Sequence, residues 1–238
     1  MNRNILIAVG VIIVLTATWF FYSRQTNETS SADIQKKSPH FLDSTPLHAE
    51  TYATQPINVT INFDFDLSSG SETSVTSGDE TEWTQGEVQI EDNKTALKKD
   101  LKQNMPDGTY VVKYKACWPD GSCHDGQFSF KIDSDKKSEY QDMRGKKEVT
   151  VTMEGIKFNP EKLLISPGIK VIWENAEDLG HFVNTETHPE HTYFLVQNSR
   201  ELKKGQIFSI VFEKEGQYNY HCSTHIRQGM LGSIIVSN

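Results

Sequence analysis

Hydrophobic and polar positions fall into two regimes along the chain. Asn4 to Tyr22 is nearly continuous apolar sequence without a charge, whereas from about residue 40 the chain breaks into short runs of alternating character. Alternation of period two puts every second side chain on one face and predicts half-buried strands. Val59, Ile61, Phe63 and Phe65 share one face of NVTINFDFDL, and Val88 and Ile90 alternate in EVQIE. Tyr110, Val112 and Tyr114 do so in TYVVKYK, and Phe128, Phe130 and Ile132 in GQFSFKI. Turn-forming runs (SSGSE, MPDG, PDGS) separate them, so residues 40–133 are expected to form a small antiparallel sandwich. Thr95 to Gln103 is expected to be a short helix or a connection, and Ser68 to Gln85 a long surface loop.

The same signal returns further on. Val149, Val151 and Met153 alternate, Leu163 and Ile165 lead to the turn Pro167-Gly168, and Val171 and Trp173 follow. Gln206 to Glu213, Gln217 to Cys222 and Leu231 to Val236 complete about seven strands, which predicts a Greek-key sandwich over 148–238. Residues 25–39 and 134–147 are polar or charged without apolar period and read as linkers. The expected fold class is therefore all-β, two β-sandwich domains behind an N-terminal apolar segment (1–24).

That segment is long enough to span roughly 30 Å of hydrocarbon as one transmembrane helix. A cleaved signal peptide and an uncleaved anchor both fit its length. Trp19, Phe20, Phe21 and Tyr22 stand where a small-residue cleavage site would be, which favours a single-pass membrane anchor. In either case the body is expected outside the cytoplasm, in the periplasm or extracellular space. The formal charge is −8, and residues 40–135 alone carry −10. That acidity argues against nucleic acid and for a neutral or cationic partner.

Three cysteines are an odd number, so one of them stands outside any intramolecular disulfide. Cys117 and Cys123 bracket a turn, and an oxidising compartment favours a disulfide there over a soft metal site shared with His124. Cys222 lies apart, in Gly216 to Met230. There a thiol is followed by an imidazole at His225 and a thioether at Met230. Soft and borderline donors of this kind suit copper and not magnesium or calcium. Two His, one Cys and a weak axial Met make an electron-transfer copper site, and His181 is the candidate for the missing imidazole. The loop holds no second cysteine, so the centre is expected to be mononuclear. Gly229 would let the loop turn back toward the metal. His221 precedes Cys222 on a strand and is expected to face the other way. His188 and His191, at i, i+3 in a loop, offer either a further metal contact or a solvated pair.

Two resemblances sharpen this reading. Ser44-Thr45-Pro46, Pro56-x-x-Val59-x-x-x-Phe63, Gly108-Thr109-Tyr110-x-Val112 and Asp120-Gly121 followed by Gly126-x-Phe128-x-Phe130 resemble the CopC family of periplasmic copper carriers. That resemblance implies an Ig-type sandwich over 40–133 and a copper site built from histidines and an aspartate. The ligand pattern departs from the family, because Ser122 stands two residues after Asp120. Either the domain has kept the sandwich and lost the metal, or Asp120 and His124, with His40 or His48, form a second metal site. The second block (148–238) resembles the cupredoxins, most like plastocyanin, amicyanin and pseudoazurin. The resemblance rests on Trp173-x-Asn175, His181, Phe212, Gly216-x-Tyr218-x-Tyr220 and Cys222-x-x-His225-x-x-x-x-Met230. It implies blue copper held by His181, Cys222, His225 and Met230.

Together these features point to a copper protein that transfers single electrons and is not an enzyme. A cytochrome or a membrane copper protein is the expected partner. The alternative is copper binding and delivery to a membrane partner.

Overall fold

The computed structural model describes residues 34–238. The expected anchor and most of the first linker lie outside the described residues. Among the described residues no helix is long and apolar enough to cross a membrane.

The first half is built from β1 (Phe41–Thr45), β2 (Thr51–Tyr52), β3 (Asn58–Phe63), β4 (Glu72–Ser77), β5 (Thr84–Ile90), β6 (Ala96–Leu101), β7 (Gly108–Cys117) and β8 (Cys123–Ile132). They form two four-stranded sheets, in the orders β1-β3-β6-β5 and β2-β8-β7-β4. The inward rows meet in one core around Val59, Ile61, Phe63, Leu97, Val112 and Phe130. Cys117 and Cys123 face each other at the end of the β7–β8 hairpin and are disulfide-bonded.

Three expectations need correction here. The stretch 68–85 is not one long loop, because β4 runs through it with Thr73 and Val75 turned inward. Thr95 to Gln103 is neither helix nor connection; β6 there pairs with both β3 and β5 and buries Ala96, Leu97 and Leu101. Phe65 does not continue the β3 row. The strand ends at Phe63, and Phe65 stays 46% exposed, stacked on His40.

The second half comprises β9 (Gln141–Asp142), β10 (Glu148–Met153), β11 (Phe158–Asn159), β12 (Lys162–Ile165), β13 (Ile169–Asn175), β14 (Asn184–Thr185), β15 (Ile207–Phe212), β16 (Gly216–His221) and β17 (Leu231–Val236). The two sheets run β11-β10-β13-β15 and β14-β16-β17-β12-β9. The β10–β13 and β12–β17 pairs are parallel, so the chain crosses between sheets. Trp173 is fully buried at the centre, its ring 5.4 Å from that of Tyr220 and 6.3 Å from that of Phe212.

The second linker is structured over residues 134–142. A 3-10 turn occupies Ser134–Glu139, β9 adds to the edge of β12, and the Tyr140 hydroxyl meets Ser233 Oγ at 2.9 Å. Charge without apolar period concealed this, because a two-residue edge strand needs only backbone bonds.

β3 shows how the halves meet. Its apolar row faces its own core, yet Asn58, Thr60 and Asn62 on the other face are buried as well. They are covered by the second half. Asn58 Nδ2 donates to Tyr193 O at 3.2 Å, and Thr192 Oγ1 donates to Asn62 Oδ1 at 2.8 Å. The Tyr193 hydroxyl accepts from Ile57 N–H at 2.8 Å and donates to Gln217 O at 2.7 Å. Gly216 permits the close approach: a Cβ there would stand 2.7 Å from Ile57 Cγ2. A buried polar face with satisfied partners specifies one docking arrangement and rejects others.

Candidate metal centre

Cys222 follows directly on β16, and Met230 directly precedes β17. The loop between them is closed by its own backbone. Cys222 N–H donates to Met230 O at 3.1 Å, and Met230 N–H donates to His225 O at 3.2 Å. Gly229 caps the 3-10 turn Ile226–Gln228 with φ +80°, the left-handed conformation that glycine adopts without steric cost. This is the turn-back expected from the sequence. Cys222 and Met230 are fully buried, and His225 is partly exposed.

His181 arrives from the loop after β13 and is also fully buried. Asn175, the last residue of β13, and Glu177 in the loop set it in place. Asn175 Nδ2 donates to Leu179 O at 2.6 Å and Leu202 O at 2.8 Å, while its Oδ1 accepts from Glu177 N–H at 2.9 Å. The backbone of His181 exchanges bonds with Leu202, at 3.1 and 2.8 Å. Glu177 Oε1 lies 2.7 Å from His181 Nε2. A carboxylate there accepts a hydrogen bond from Nε2–H, which keeps the proton on Nε2 and leaves Nδ1 as the lone-pair nitrogen.

The three donor atoms then form a triangle. Cys222 Sγ is 3.7 Å from His181 Nδ1 and 3.4 Å from His225 Nδ1, and the two nitrogens are 3.2 Å apart. The point equidistant from all three lies about 2.0 Å from each, close to a metal–imidazole bond length. Soft thiolate and two imidazoles therefore fit one copper ion in donor type and in size, and Met230, tied by its backbone to Cys222 and His225, adds a buried thioether to the same loop. Burial, then His181, pushes the His225 imidazole below its usual range, so its ligating neutral form prevails at neutral pH. Desolvation raises the Glu177 carboxyl, but the Ile156 N–H and His181 outweigh it and hold the group low, hence ionised.

The other candidates are distributed differently. Asp120 and His124 are both exposed, and Asp120 Oδ1 accepts from Ser122 N–H and Ser122 Oγ within its own turn, at 2.9 and 2.7 Å. His40 Nδ1 meets Asp64 Oδ1 at 2.7 Å, and His48 Nδ1 accepts from Ser129 N–H at 3.3 Å. Among the described residues no third His, Cys, Asp or Glu gathers with Asp120 and His124. His221 does point away from the thiolate centre, and on that other face it meets His188 and His191. Burial first, then neighbouring histidines, pushes His221 down to about 3; burial and His188 push His191 down to about 4.

Residues 41–133 match the CopC domain, and residues 145–237 match the copper binding proteins of the plastocyanin/azurin family. The chain carries a CopC domain followed by a plastocyanin/azurin-family copper-binding domain. A halocyanin of Natronomonas pharaonis is 33% identical over 99 residues, 40% of this chain. The match spans 60% of that halocyanin's own length. Among solved structures, a Cu(I) amicyanin variant shares 24% identity over 38% of this chain and 83% of its own, with a TM-score of 0.33. CopC from Methylosinus trichosporium OB3b shares 22% identity over 40% of this chain and 94% of its own, with a TM-score of 0.35.

Asn175 and Glu177 escaped the sequence reading as site residues. The only trace of Glu177 was its spacing of four from His181, which carries no meaning outside a helix. Removing its carboxylate in Glu177→Ala should weaken copper binding by about 10- to 100-fold, the usual effect of losing a partner that orients a ligand. Glu177→Gln keeps an acceptor without the charge and should fall between. Competition against a copper chelator measures both, and equal affinities in all three proteins would contradict the role.

Proposed function

We propose that the chain is a membrane-anchored copper protein facing outside the cytoplasm that carries single electrons through His181, Cys222, His225 and Met230. The observation that carries this reading is the donor triangle of Cys222 Sγ, His181 Nδ1 and His225 Nδ1, with sides of 3.2–3.7 Å. Copper held there would supply a one-electron Cu(I)/Cu(II) couple. Asn175, Glu177 and the closed 222–230 loop keep the donors in one arrangement for both oxidation states, which keeps reorganisation small. His225 is the partly exposed ligand and gives an electron partner its nearest approach. The similarity to a halocyanin supports the assignment, and the apolar segment Asn4 to Tyr22 supports the anchor. The natural partner is a cytochrome or a membrane copper protein, and the chain itself is not an enzyme.

A second reading, copper delivery to a membrane partner, is favoured by the CopC domain fused ahead of the centre. The two readings separate in one experiment on the copper-loaded chain. Electron transfer predicts reversible bleaching and recovery of an intense visible band, with rapid exchange with a c-type cytochrome and retention of the metal. Delivery predicts loss of Cu(I) to a chelator or partner without such cycling.

A further inference from the structure

Behind the thiolate centre, on the opposite face of β16, three imidazoles converge. His191 Nε2 lies 3.1 Å from His221 Nε2 and 3.4 Å from His188 Nδ1, and all three donor nitrogens lie within 4.8 Å of one another. His191 Nε2 is also 3.1 Å from Ser223 Oγ. A single ring nitrogen either donates one hydrogen bond or accepts one, so it cannot satisfy three such neighbours. A cation between the three nitrogens would take up all of their lone pairs at once.

The arrangement is held from outside its own loop. His188 and His191 sit on the segment after β14, where His191 N–H donates to Thr187 O at 2.7 Å and Tyr193 N–H to Glu186 O at 3.1 Å. The CopC domain grips both ends of that turn. Thr187 Oγ1 donates to Asp43 Oδ1 at 2.6 Å, and Asn62 Nδ2 donates to Thr187 Oγ1 at 3.1 Å. At the other end Thr192 Oγ1 donates to Asn62 Oδ1. His221 comes from the rigid strand β16, nearly fully buried. Two imidazoles are thus placed by contacts with the first domain and the third by the core of the second.

His188 and His221 also line a cleft of about 570 Å³ between the domains, with Asp43, Leu47, Glu50 and Glu186. Three protein donors with one open side make the donor count of a metal site that takes an exchangeable ligand.

We infer that His188, His191 and His221 form a second metal site, taking one divalent transition-metal ion and assembled only when the two domains are docked. Three imidazoles suit copper, zinc or nickel, and Cu(II) stands highest in affinity for such donors. The fourth position, on the cleft side, is filled by water or a small anion. The ion at this site is exchangeable from the cleft, whereas the thiolate centre is closed. Because Cys222 follows His221 directly, the two centres are joined by one peptide unit. The expected total is two copper ions per chain, neither of them at Asp120 and His124. This site does not depend on the electron-transfer reading, and the two are measured by separate signals.

The test is a Cu(II) titration of the full chain, followed by absorption and paramagnetic resonance. Wild type should bind a second equivalent whose resonance differs from that of the thiolate centre, without adding to the visible band. The double variant His188→Ala/His191→Ala should lose that equivalent, its Kd rising by more than about 100-fold, since losing even a second-layer partner costs 10- to 100-fold. The unchanged visible band reports that this variant is folded. Asp43→Ala should weaken the second equivalent by about 10-fold, and His124→Ala should leave it intact. In Cys222→Ala it should persist with no visible band, so failure of the thiolate centre leaves this site measurable. Three outcomes overturn the inference: no second equivalent in wild type, its survival in the double histidine variant, or its loss in His124→Ala.

Discussion

Cys222→Ala is expected to remove the visible absorption of the copper-loaded chain completely and to weaken copper binding at that centre by more than about 100-fold. The thiolate is the only anionic donor in the triangle, and the two imidazole nitrogens lie 3.4 and 3.7 Å from its sulfur. Losing it leaves two neutral nitrogens and a buried thioether, a set without preference for holding copper in a compact trigonal arrangement. The apo fold should barely notice. Only the sulfur is deleted from a buried site, and the Phe182 N–H gives up a weak 3.4 Å contact to it, so the stability change should be about 1 kcal/mol. Absorption spectra and thermal denaturation of the apo variant separate the two effects. A surviving band would mean that the chromophore lies elsewhere.

The second large effect is expected at a residue that touches no metal. Asn175→Ala should destabilise the apo chain by about 2–4 kcal/mol, because a fully buried side chain with three hydrogen bonds disappears. The Leu179 carbonyl loses this donor, Leu202 O keeps only the bond from His181 N–H, and the Glu177 N–H loses its acceptor. The loop carrying Glu177 and His181 then loosens, so copper affinity should fall as well. Asn175→Asp is the informative companion. It keeps size and acceptor but places a carboxylate oxygen against two carbonyls, so it should be at least as damaging as alanine. Urea denaturation of the apo proteins checks the order, and a harmless Asn175→Asp would refute the hydrogen-bond account.

The candidate donors were legible because their chemistry is written in residue types, and the structure gathers His181, Cys222 and His225. Cys222, His225 and Met230 sit close in sequence, and few metals use that mixture. His181 needed the fold to reach them, yet Trp173-x-Asn175 before it marked the strand that delivers it. The strands with clean alternation, such as those bearing Val171 and Trp173 or Phe128 and Phe130, were equally plain. Those missed share a physical cause. In β4 the inward positions are Thr73 and Val75 among serines, and in β6 Lys98 and Lys99 separate Leu97 from Leu101, so a weak apolar signal hides real burial.

The domain interface was invisible for a related reason. Alternation labels Asn58, Thr60 and Asn62 as a solvent face, but the face is covered by the neighbouring domain, and single-strand periodicity cannot tell water from a polar partner. His221 shows the same limit. Strand geometry sends it away from Cys222, as the structure has it, but only tertiary structure reveals the two imidazoles waiting there. Asp120 and His124 are the converse case, neighbours in sequence that stay exposed and gather no third His, Cys, Asp or Glu among the described residues.

In a crystal of the copper-loaded chain, anomalous scattering should place a copper peak among Cys222 Sγ, His181 Nδ1 and His225 Nδ1, about 2.0–2.3 Å from each, with Met230 beside it. No peak inside that triangle, in a crystal that holds copper elsewhere on the chain, would contradict it.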